Sequence, residues 1–492
     1  MVLLGVCLVF SSSMAQDQVV NMETARPEGS KMTLLVNASH QGLSIDWGDG
    51  NVVEYAGNPD GGLMEIEGTV KGKSITVTGN KKWKILDCSN CDLKRFSMKN
   101  AVFLKSVNCS HNNLKGLVLR NLPKLVDLNC SYNQIGNVVF SSPDKSKVKE
   151  DLPLLKNLNF SHNNLSSTFN WNIPTLDNLN ISNNKIKLFY SFGAHLKQIN
   201  CSNNNLKSTL DLQEQTNLEN LLCYNNSFDE LVLFNNGEHI QQLVCDNNLL
   251  SAISLQKADS LQDISCTNNS LKKVSLPQAT RLVSYNASDN SLDFSSLPGR
   301  PLQYVGFNTQ QPFEVTNIKG VLQKDGVNYL PFSEDWNSMN LVHFDEQVTM
   351  ADGSADVTSK WYTVTSDNTV KEMTQRTSSS GTGDFYADGS QFAFFAPQKK
   401  AYVTFTSKVY GCTIQSQPFA IGDDVTGIVQ MSDGQNCLQI LVSRGILTAQ
   451  GTGKLRICTP SGKCMWQGQV HEVQNITLPQ GIYVVNNMKV VL

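Results

Sequence analysis

Cysteine and histidine carry the most distinctive chemistry in this chain of 492 residues, which contains 13 cysteines and seven histidines. Cys88 and Cys91 have the Cys-x-x-Cys spacing of a redox dithiol, and cysteines that recur at one place in a repeat suggest metal binding or disulfides. We expect neither chemistry. No helix start follows Cys91 to lower a thiol pKa, and the repeat place is also taken by Phe160, Ile181 and Ala287, which neither ligate nor cross-link. The recurring cysteines are Cys88, Cys109, Cys130, Cys201, Cys223, Cys245 and Cys266.

Other catalytic and ligand patterns are weak in this sequence. There is no Ser/His/Asp arrangement, phosphate-binding glycine loop or His-x-x-x-His spacing. The segment 46–50, Asp-Trp-Gly-Asp-Gly, lacks the later oxygen ligands of a calcium loop and predicts a hairpin turn. A formal net charge of -3 does not indicate nucleic-acid binding. The sequence therefore predicts a protein that is not an enzyme and uses no cofactor and no metal.

A repeat of about 21 residues dominates residues 83–292. Its pattern is L-x-x-L-x-C-x-x-N-x-L, with clear copies at Leu125–Ile135 and Leu196–Leu206. One Asn recurs in each copy, and the spacings between successive Asn residues, beginning at Asn112, are 21, 30, 21, 20, 22, 22, 21 and 21. This pattern predicts a leucine-rich repeat solenoid of about ten coils within a mainly β protein. The Asn positions are Asn112, Asn133, Asn163, Asn184, Asn204, Asn226, Asn248, Asn269 and Asn290.

Each repeat column has a physical role. Side chains alternate in a short strand, so Leu128 and Cys130 point inward. At the recurring Asn the chain turns out of the strand, and the Asn side chain can form hydrogen bonds with backbone groups inside the solenoid. We therefore assign the Asn column a structural role and read the Cys column as small buried hydrophobes. The long spacing of 30 predicts an insertion over Ser141–Asp151, which its charge and proline place in an exposed loop.

The concave face of the solenoid is the predicted binding surface. Its outward positions are mostly Asn and Ser in the early coils and change character further along. Protein hot spots favour large amphipathic side chains. The candidate binding residues are therefore Tyr132, Tyr224, Leu222, Val244, His111 and His162. An alternative is that the Asn and Ser face binds carbohydrate, and a third is that the solenoid is a structural spacer.

The regions beside the solenoid also alternate apolar and polar residues. Residues 16–80 predict a small β domain that caps the first coil, and the solenoid is expected over 81–312. Aromatic-rich runs over 313–421 suggest an Ig-like sandwich, and 422–492 predicts a small C-terminal β domain. Within it Cys458 and Cys464 flank a hairpin loop and are candidates for a disulfide, whereas Cys412 and Cys437 have no evident partner.

The first 15 residues have the features of a secretory signal. An apolar stretch, Val2–Phe10, precedes small residues that end at Ala15. We therefore expect an exported protein.

Two family resemblances accompany these patterns. The Cys- and Asn-rich repeats resemble those of internalin-like bacterial leucine-rich repeat proteins. The chain end is similar to the C-terminal sorting domain of type IX secretion substrates, through Gly462, Leu478, the Gly481-x-Tyr483 turn and the final strand at 489–491.

These resemblances imply a protein on the surface of a Gram-negative bacterium, or secreted from it. They imply a protein ligand on a host or neighbouring cell, and outer-membrane attachment through the C-terminal domain.

Overall fold

The structure is a computed structural model that describes most of the chain. It describes residues 17–37, 43–80, 82–98, 101–190, 196–277, 281–298, 302–312, 322–324, 327–331, 357–365, 368–377, 382–388, 391–395, 400–420, 428–433, 436–443, 446–459, 463–478, 482–485 and 488–491. The predicted signal, Cys7, Gly462 and Gly481 lie outside the described residues, and so does the Cys437 side chain. The chain divides into two compact units, Met1–Leu271 with Ser275–Ala287 and Lys272–Val274 with Ser288–Leu492.

A long parallel sheet organises the first unit, and we call it the ladder sheet. It confirms the predicted repeat solenoid, because each coil contributes one three-residue strand in register with the next. The middle residue of each strand, such as Leu128 paired with Leu158, points into the core and is at most 3% exposed. The strands are Ile85–Asp87, Ser106–Asn108, Asp127–Asn129, Asn157–Asn159, Asn178–Asn180, Gln198–Asn200, Asn220–Leu222, Gln242–Val244, Asp263–Ser265 and Ser284–Asn286.

The side-chain amide of the recurring Asn forms hydrogen bonds with backbone groups at the turn that follows the ladder strand. Asn112 Nδ2 donates to the carbonyls of Cys88, Cys109 and Ser110, while its Oδ1 accepts from the backbone N–H groups of Cys91 and Leu93. One buried side chain thus satisfies five backbone groups from two coils, which an aliphatic residue could not do.

The return side of the coils is extended where it is regular. Its strands are Leu93–Ser97, Gly116–Val118, Asn137–Val139, Lys207–Leu212, Ser227–Leu233, Ala252–Ser254 and Lys273–Ser275. A short 3-10 helix, Phe234–Asn236, follows one of them.

Six strands precede the first coil and extend both of its sides. Lys31–Asn37 pairs antiparallel with Ile85–Asp87 and lengthens the ladder sheet, while Gln18–Thr24 pairs with Leu93–Ser97. These strands cover the apolar end of the first coil, which water would otherwise reach. The six are Gln18–Thr24, Lys31–Asn37, Leu43–Asp46, Val52–Tyr55, Leu63–Thr69 and Ser74–Gly79.

The insertion after Ser141 is largely exposed, as its sequence predicts, but it is partly helical and two of its residues are buried. A 3-10 helix, Lys145–Lys147, runs into a short α-helix, Val148–Asp151, and both Val148 and Asp151 are buried. Asp151 accepts hydrogen bonds from the backbone N–H groups of Asn121 and Ser141, both at 2.8 Å. The predicted exposure holds for most of the segment and fails at Val148 and Asp151, because a buried carboxylate that caps two backbone donors is indistinguishable in sequence from a solvated one.

Two antiparallel sheets follow in the second unit. One contains Leu322–Lys324, Val327–Pro331, Phe385–Asp388 and Gln391–Phe395, and the other contains Val357–Val364, Val370–Glu372, Lys400–Ser407, Cys412–Gln415 and Phe419–Ala420. The Trp361 ring lies 5.3 Å from the Phe394 ring of the other sheet, so aromatic side chains join the two. The Ig-like assignment stays a prediction. Two short elements, Phe294–Ser296 and Tyr304–Gly306, precede these sheets.

The last region is one antiparallel sheet around a long hairpin. The hairpin arms are Ile446–Cys458 and Cys464–Thr477, and four shorter strands complete the sheet. The second arm pairs with the first along nearly its whole length, including its polar middle. The shorter strands are Ile428–Asp433, Asn436–Ser443, Ile482–Val485 and Met488–Val491. Within the described residues no helix is long and apolar enough to cross a bilayer.

Candidate functional site

The solvent face of the ladder sheet holds a groove of about 680 Å³. Its lining includes all three positions of successive strands; the first and last residues turn their side chains toward it, whereas the side chains of middle residues such as Leu128 point inward. We call the first and last positions the strand-first and strand-last columns. Asp127 is the one charged residue among those that line the groove, and the rest of its polar lining consists of amides and Ser106. The groove is therefore polar but close to neutral.

The strand-first column forms a hydrogen-bonded amide ladder in the early coils. Asn178 Nδ2 donates to Asn157 Oδ1 at 2.6 Å, and Asn157 Nδ2 donates to Asp127 Oδ1 at 2.5 Å. This column contributes directly to the groove, yet it is missing from the residues predicted above. The alternation that turns Leu128 inward turns Asp127 outward as well as Asn129, so the signal was present in the sequence.

The strand-last column in the early coils is Asn108, Asn129, Asn159, Asn180 and Asn200. Each Oδ1 accepts from the backbone N–H two residues later, for example from Ser182 to Asn180 at 3.1 Å. That bond fixes the orientation of the amide, since only the oxygen can accept. The Nδ2 groups therefore point away from the turn.

The serines that follow this column do not face solvent, so that expectation is wrong. Ser131, Ser182 and Ser202 are at most 4% exposed, and their hydroxyls donate to the preceding Asn Oδ1 at 2.7–2.8 Å. The strand has already ended at these positions, so the outward alternation no longer applies. A buried hydroxyl whose proton is committed to a turn has no donor left for a ligand.

A left-handed position follows in each coil, and three aromatic rings share it. His111, Tyr132 and His162 have φ between 52° and 54°. The Tyr132 ring is stacked between the two imidazoles, with centroids 4.3 Å from His111 and 4.0 Å from His162. The stack uses both faces of the tyrosine, so only ring edges and the hydroxyl remain for a ligand. Tyr132 is 47% exposed.

Asparagine takes the same left-handed position in later coils. Nδ2 of Asn225, Asn247 and Asn268 each donates at 2.7 Å to the Oδ1 of the Asn one coil before, which for Asn225 is Asn203. Asparagine tolerates this backbone conformation far better than a bulky ring does. The column therefore changes from a ring stack to an amide ladder along the solenoid.

The three remaining predicted binding residues lie together in the later coils. Leu222 and Val244 are direct register partners in the strand-last column, where earlier coils have Asn. Tyr224 follows Leu222 at the position that holds a buried serine in earlier coils, so it is not equivalent to Tyr132. All three are half-buried, and Leu222 also lines the groove.

The inward cysteines are buried thiols without thiolate character. Burial raises the pKa of Cys201 to about 12 and the pKa of Cys91 to about 11. Cys109 Sγ lies 3.4 Å from Cys130 Sγ, well beyond disulfide bonding distance. Protonated thiols at neutral pH are poor nucleophiles and poor metal ligands.

Other chemistry is sparse in the described parts of the chain. These parts contain no group of three or more His, Cys, Asp or Glu side chains that could hold a metal. Asp46 Oδ1 accepts from the backbone N–H groups of Gly48 and Gly50, as in a hairpin turn. Cys458 and Cys464 lie opposite each other across the long hairpin without a disulfide bond, and Cys412 is buried.

The described coils have the fold of a leucine-rich repeat solenoid, and several solved structures are similar to the chain at low sequence identity. No family model and no curated protein matches the chain. Among solved structures, it is similar to the functional domain of InlJ from Listeria monocytogenes, described as including a cysteine ladder, at 14% identity. That match covers 71% of this chain and 93% of InlJ, with a TM-score of 0.30.

Two further solved structures are similar over about half of the chain. YopM from Yersinia enterocolitica matches at 20% identity and a TM-score of 0.36, over 47% of this chain and 56% of YopM. The APL1 leucine-rich repeat domain matches at 22% identity and a TM-score of 0.31, over 44% of this chain and 57% of that domain.

Proposed function

We propose that this protein is a non-enzymatic surface protein that binds a protein partner through the later coils of the ladder sheet. The supporting observation is that the half-buried Leu222 and Val244 are register partners on the solvent face, at positions where earlier coils have Asn. Two adjacent aliphatic side chains beside Tyr224 form an apolar centre within a polar surface, which is the composition of a protein hot spot.

Export and attachment belong to the same proposal. The apolar N-terminal segment and the resemblance of the chain end to type IX sorting domains support secretion to the surface of a Gram-negative cell. An adhesive role on a host or neighbouring cell fits a rigid scaffold that presents one such surface. His111, Tyr132 and His162 are proposed as a secondary polar contact beside it.

The test is a substitution that restores the residues of earlier coils. Leu222→Asn, Tyr224→Ser and Val244→Asn together remove the apolar centre and keep residue types that this fold already holds there. The probe is a detergent extract of surface-labelled epithelial and bacterial cells, assayed for saturable binding to the full chain. We expect the triple variant to weaken that binding at least about tenfold, equivalent to about 1.4 kcal/mol.

The matched control removes exposed apolar side chains elsewhere. Leu188 and Leu249 are 41% and 56% exposed and lie outside the ladder strands, so Leu188→Asn with Leu249→Asn should leave binding unchanged. Equal binding by the triple variant and the wild type would contradict the proposed site.

A further inference from the structure

The early coils carry a row of hydrogen-bond donors that the protein itself does not use. The row consists of the Nδ2 groups of Asn129, Asn159, Asn180 and Asn200. Each Oδ1 is held by a backbone N–H of the following turn, and within the described residues no acceptor pairs with these Nδ2 groups. The four residues are half-buried and line the groove. An oriented and unpaired amide donor, repeated coil after coil, is a recognition element for oxygen acceptors.

The spacing of the row restricts the ligand. Neighbouring strands lie about 4.8 Å apart, so the donors recur at that interval along the solenoid. An extended peptide laid along the row offers carbonyls on one edge only every second residue, or about 6.7 Å. The carbonyl spacing of the peptide therefore does not match the donor spacing, even at the second donor. An extended glycan advances by about one strand spacing per sugar, and therefore presents oxygen atoms at the required interval.

The charge of the groove restricts the ligand further. Asp127 is the charged residue of the lining, and its Oδ1 already accepts from Asn157. At the adjacent coil edge, Lys156 and Asp177 neutralise each other, with Nζ 3.7 Å from Oδ2. A polyanion would meet no surplus of positive charge here, whereas a neutral polyhydroxyl chain needs only donors and acceptors.

Acceptors are also present for sugar hydroxyls. In the strand-first column, Asn178 donates through its Nδ2, and within the described residues no donor reaches its Oδ1. The donor row and this column line the same groove, so a hydroxyl can accept from one and donate to the other. The volume of about 680 Å³ is that of a site for a ligand of several rings.

We infer that the early coils of the ladder sheet form a binding site for a neutral, extended glycan, with one sugar per coil along Asn129, Asn159, Asn180 and Asn200. This site is separate from the protein contact proposed around Leu222. The two sites can therefore be tested and can fail independently.

The decisive variant removes the donors and keeps the fold. Asn159→Asp with Asn180→Asp replaces each NH₂ with an oxygen, while the retained Oδ1 still caps the backbone N–H of the following turn. The probes are cellohexaose and chitohexaose, which are neutral and extended, with maltohexaose as a coiled neutral control. Binding to the full chain is measured by titration calorimetry. We expect saturable binding of an extended oligosaccharide and a loss of about a hundredfold in the double variant, about tenfold for each position.

The matched control introduces the same two charges outside the groove. The control is Asn113→Asp with Asn164→Asp, two residues on the turns of the same part of the solenoid. The Oδ1 of each accepts a side-chain hydrogen bond, which an aspartate preserves. Binding should be unchanged in this control and in the triple variant at Leu222, Tyr224 and Val244. If the double variant does not fold, the single change Asn180→Asp gives the same test with a tenfold loss.

Several outcomes would overturn the inference. One is an absence of binding by either extended oligosaccharide, and another is equal binding by wild type and the double variant. A third is binding of an uncharged Ser-Thr hexapeptide that is lost in the same double variant, which would assign the donor row to polypeptide. None of these results would affect the proposed protein contact.

Discussion

The early and later coils of the ladder sheet share a backbone and differ in the surface they present. In the early coils the strand-last column is Asn, and the left-handed position holds the His111–Tyr132–His162 ring stack. In the later coils the strand-last column changes to Leu222 and Val244, and the left-handed position becomes an amide ladder. Both parts keep inward apolar columns, with Leu or another aliphatic residue at the middle of most strands and Cys at most of the positions that follow.

The difference shows that backbone geometry and surface chemistry are independent in this solenoid. Tyr132 and Asn225 occupy the same repeat position with φ of 52° and 54°. Identical conformations therefore present either a ring or an amide to solvent. A repeat whose backbone is fixed by buried columns can place two chemically unlike surfaces on one sheet.

The largest expected effect concerns the buried thiols, which occur in both the early and the later coils. Burial raises the pKa of Cys201 from 9.0 to about 12. At pH 8 its thiolate fraction should therefore be about a thousandfold smaller than that of an ordinary thiol. Alkylation of the native protein with iodoacetamide, followed by peptide mass spectrometry, should modify the exposed Cys464 and spare both Cys130 and Cys201. Rapid alkylation of Cys201 in the native state would contradict a core shared by the two parts.

The same shift predicts a dependence of stability on pH. A thiol whose folded pKa lies above its unfolded value stabilises the fold fully below pH 9.0, and this contribution is lost as pH rises toward about 12. Denaturant midpoints measured between pH 7 and pH 11 should therefore be constant up to about 9 and then fall. A midpoint that rises over the alkaline range would have the wrong sign.

A smaller difference in the free energy of unfolding is expected between the structural Asn residues of the early coils and those of the later coils. Asn184 Nδ2 donates to three backbone carbonyls and its Oδ1 accepts from Leu165 N–H, so Asn184→Ala should lower the free energy of unfolding by about 3–4 kcal/mol. Asn248 keeps the three donations, but no donor among the described residues reaches its buried Oδ1, so Asn248→Ala should cost only about 2 kcal/mol. Chemical denaturation measures both.

The control for this pair is the exposed Asn205, next to the buried column. Asn205→Ala should change the free energy of unfolding by less than about 0.5 kcal/mol. Equal losses for Asn184→Ala and Asn248→Ala would show that the missing acceptor bond has no energetic consequence.

Exchanging the two left-handed residues should destabilise the later coils more than the early coils. Asn225→Tyr loses two amide hydrogen bonds and places a bulky residue at positive φ, so it should cost about 2–3 kcal/mol. Tyr132→Asn loses two ring contacts but relieves backbone strain, so it should cost about 1 kcal/mol. Thermal denaturation of both variants tests the order, and a larger loss for Tyr132→Asn would reverse it.

Much of the scaffold was determined by the sequence alone. The recurrence of Leu, Cys and Asn at about 21 residues specifies the coil, because the inward Leu and Cys must pack on their counterparts and the Asn must satisfy backbone groups left by the turn. Spacing carries this information directly, so the solenoid and its buried cysteines were predictable. The alternation also contains the strand-first column, although Asp127 and Asn157 were not singled out.

Only the tertiary structure decided how the surface residues are used. Stacked coils bring Tyr132 between His111 and His162, and they commit the hydroxyls of Ser131 and Ser182 to turns. They also bury Asp151 in an insertion that reads as a solvated loop. Each of these outcomes depends on contacts between coils or on where a strand ends. A local pattern states which residue types recur, but the neighbouring coil determines which of their polar atoms remain free for a partner.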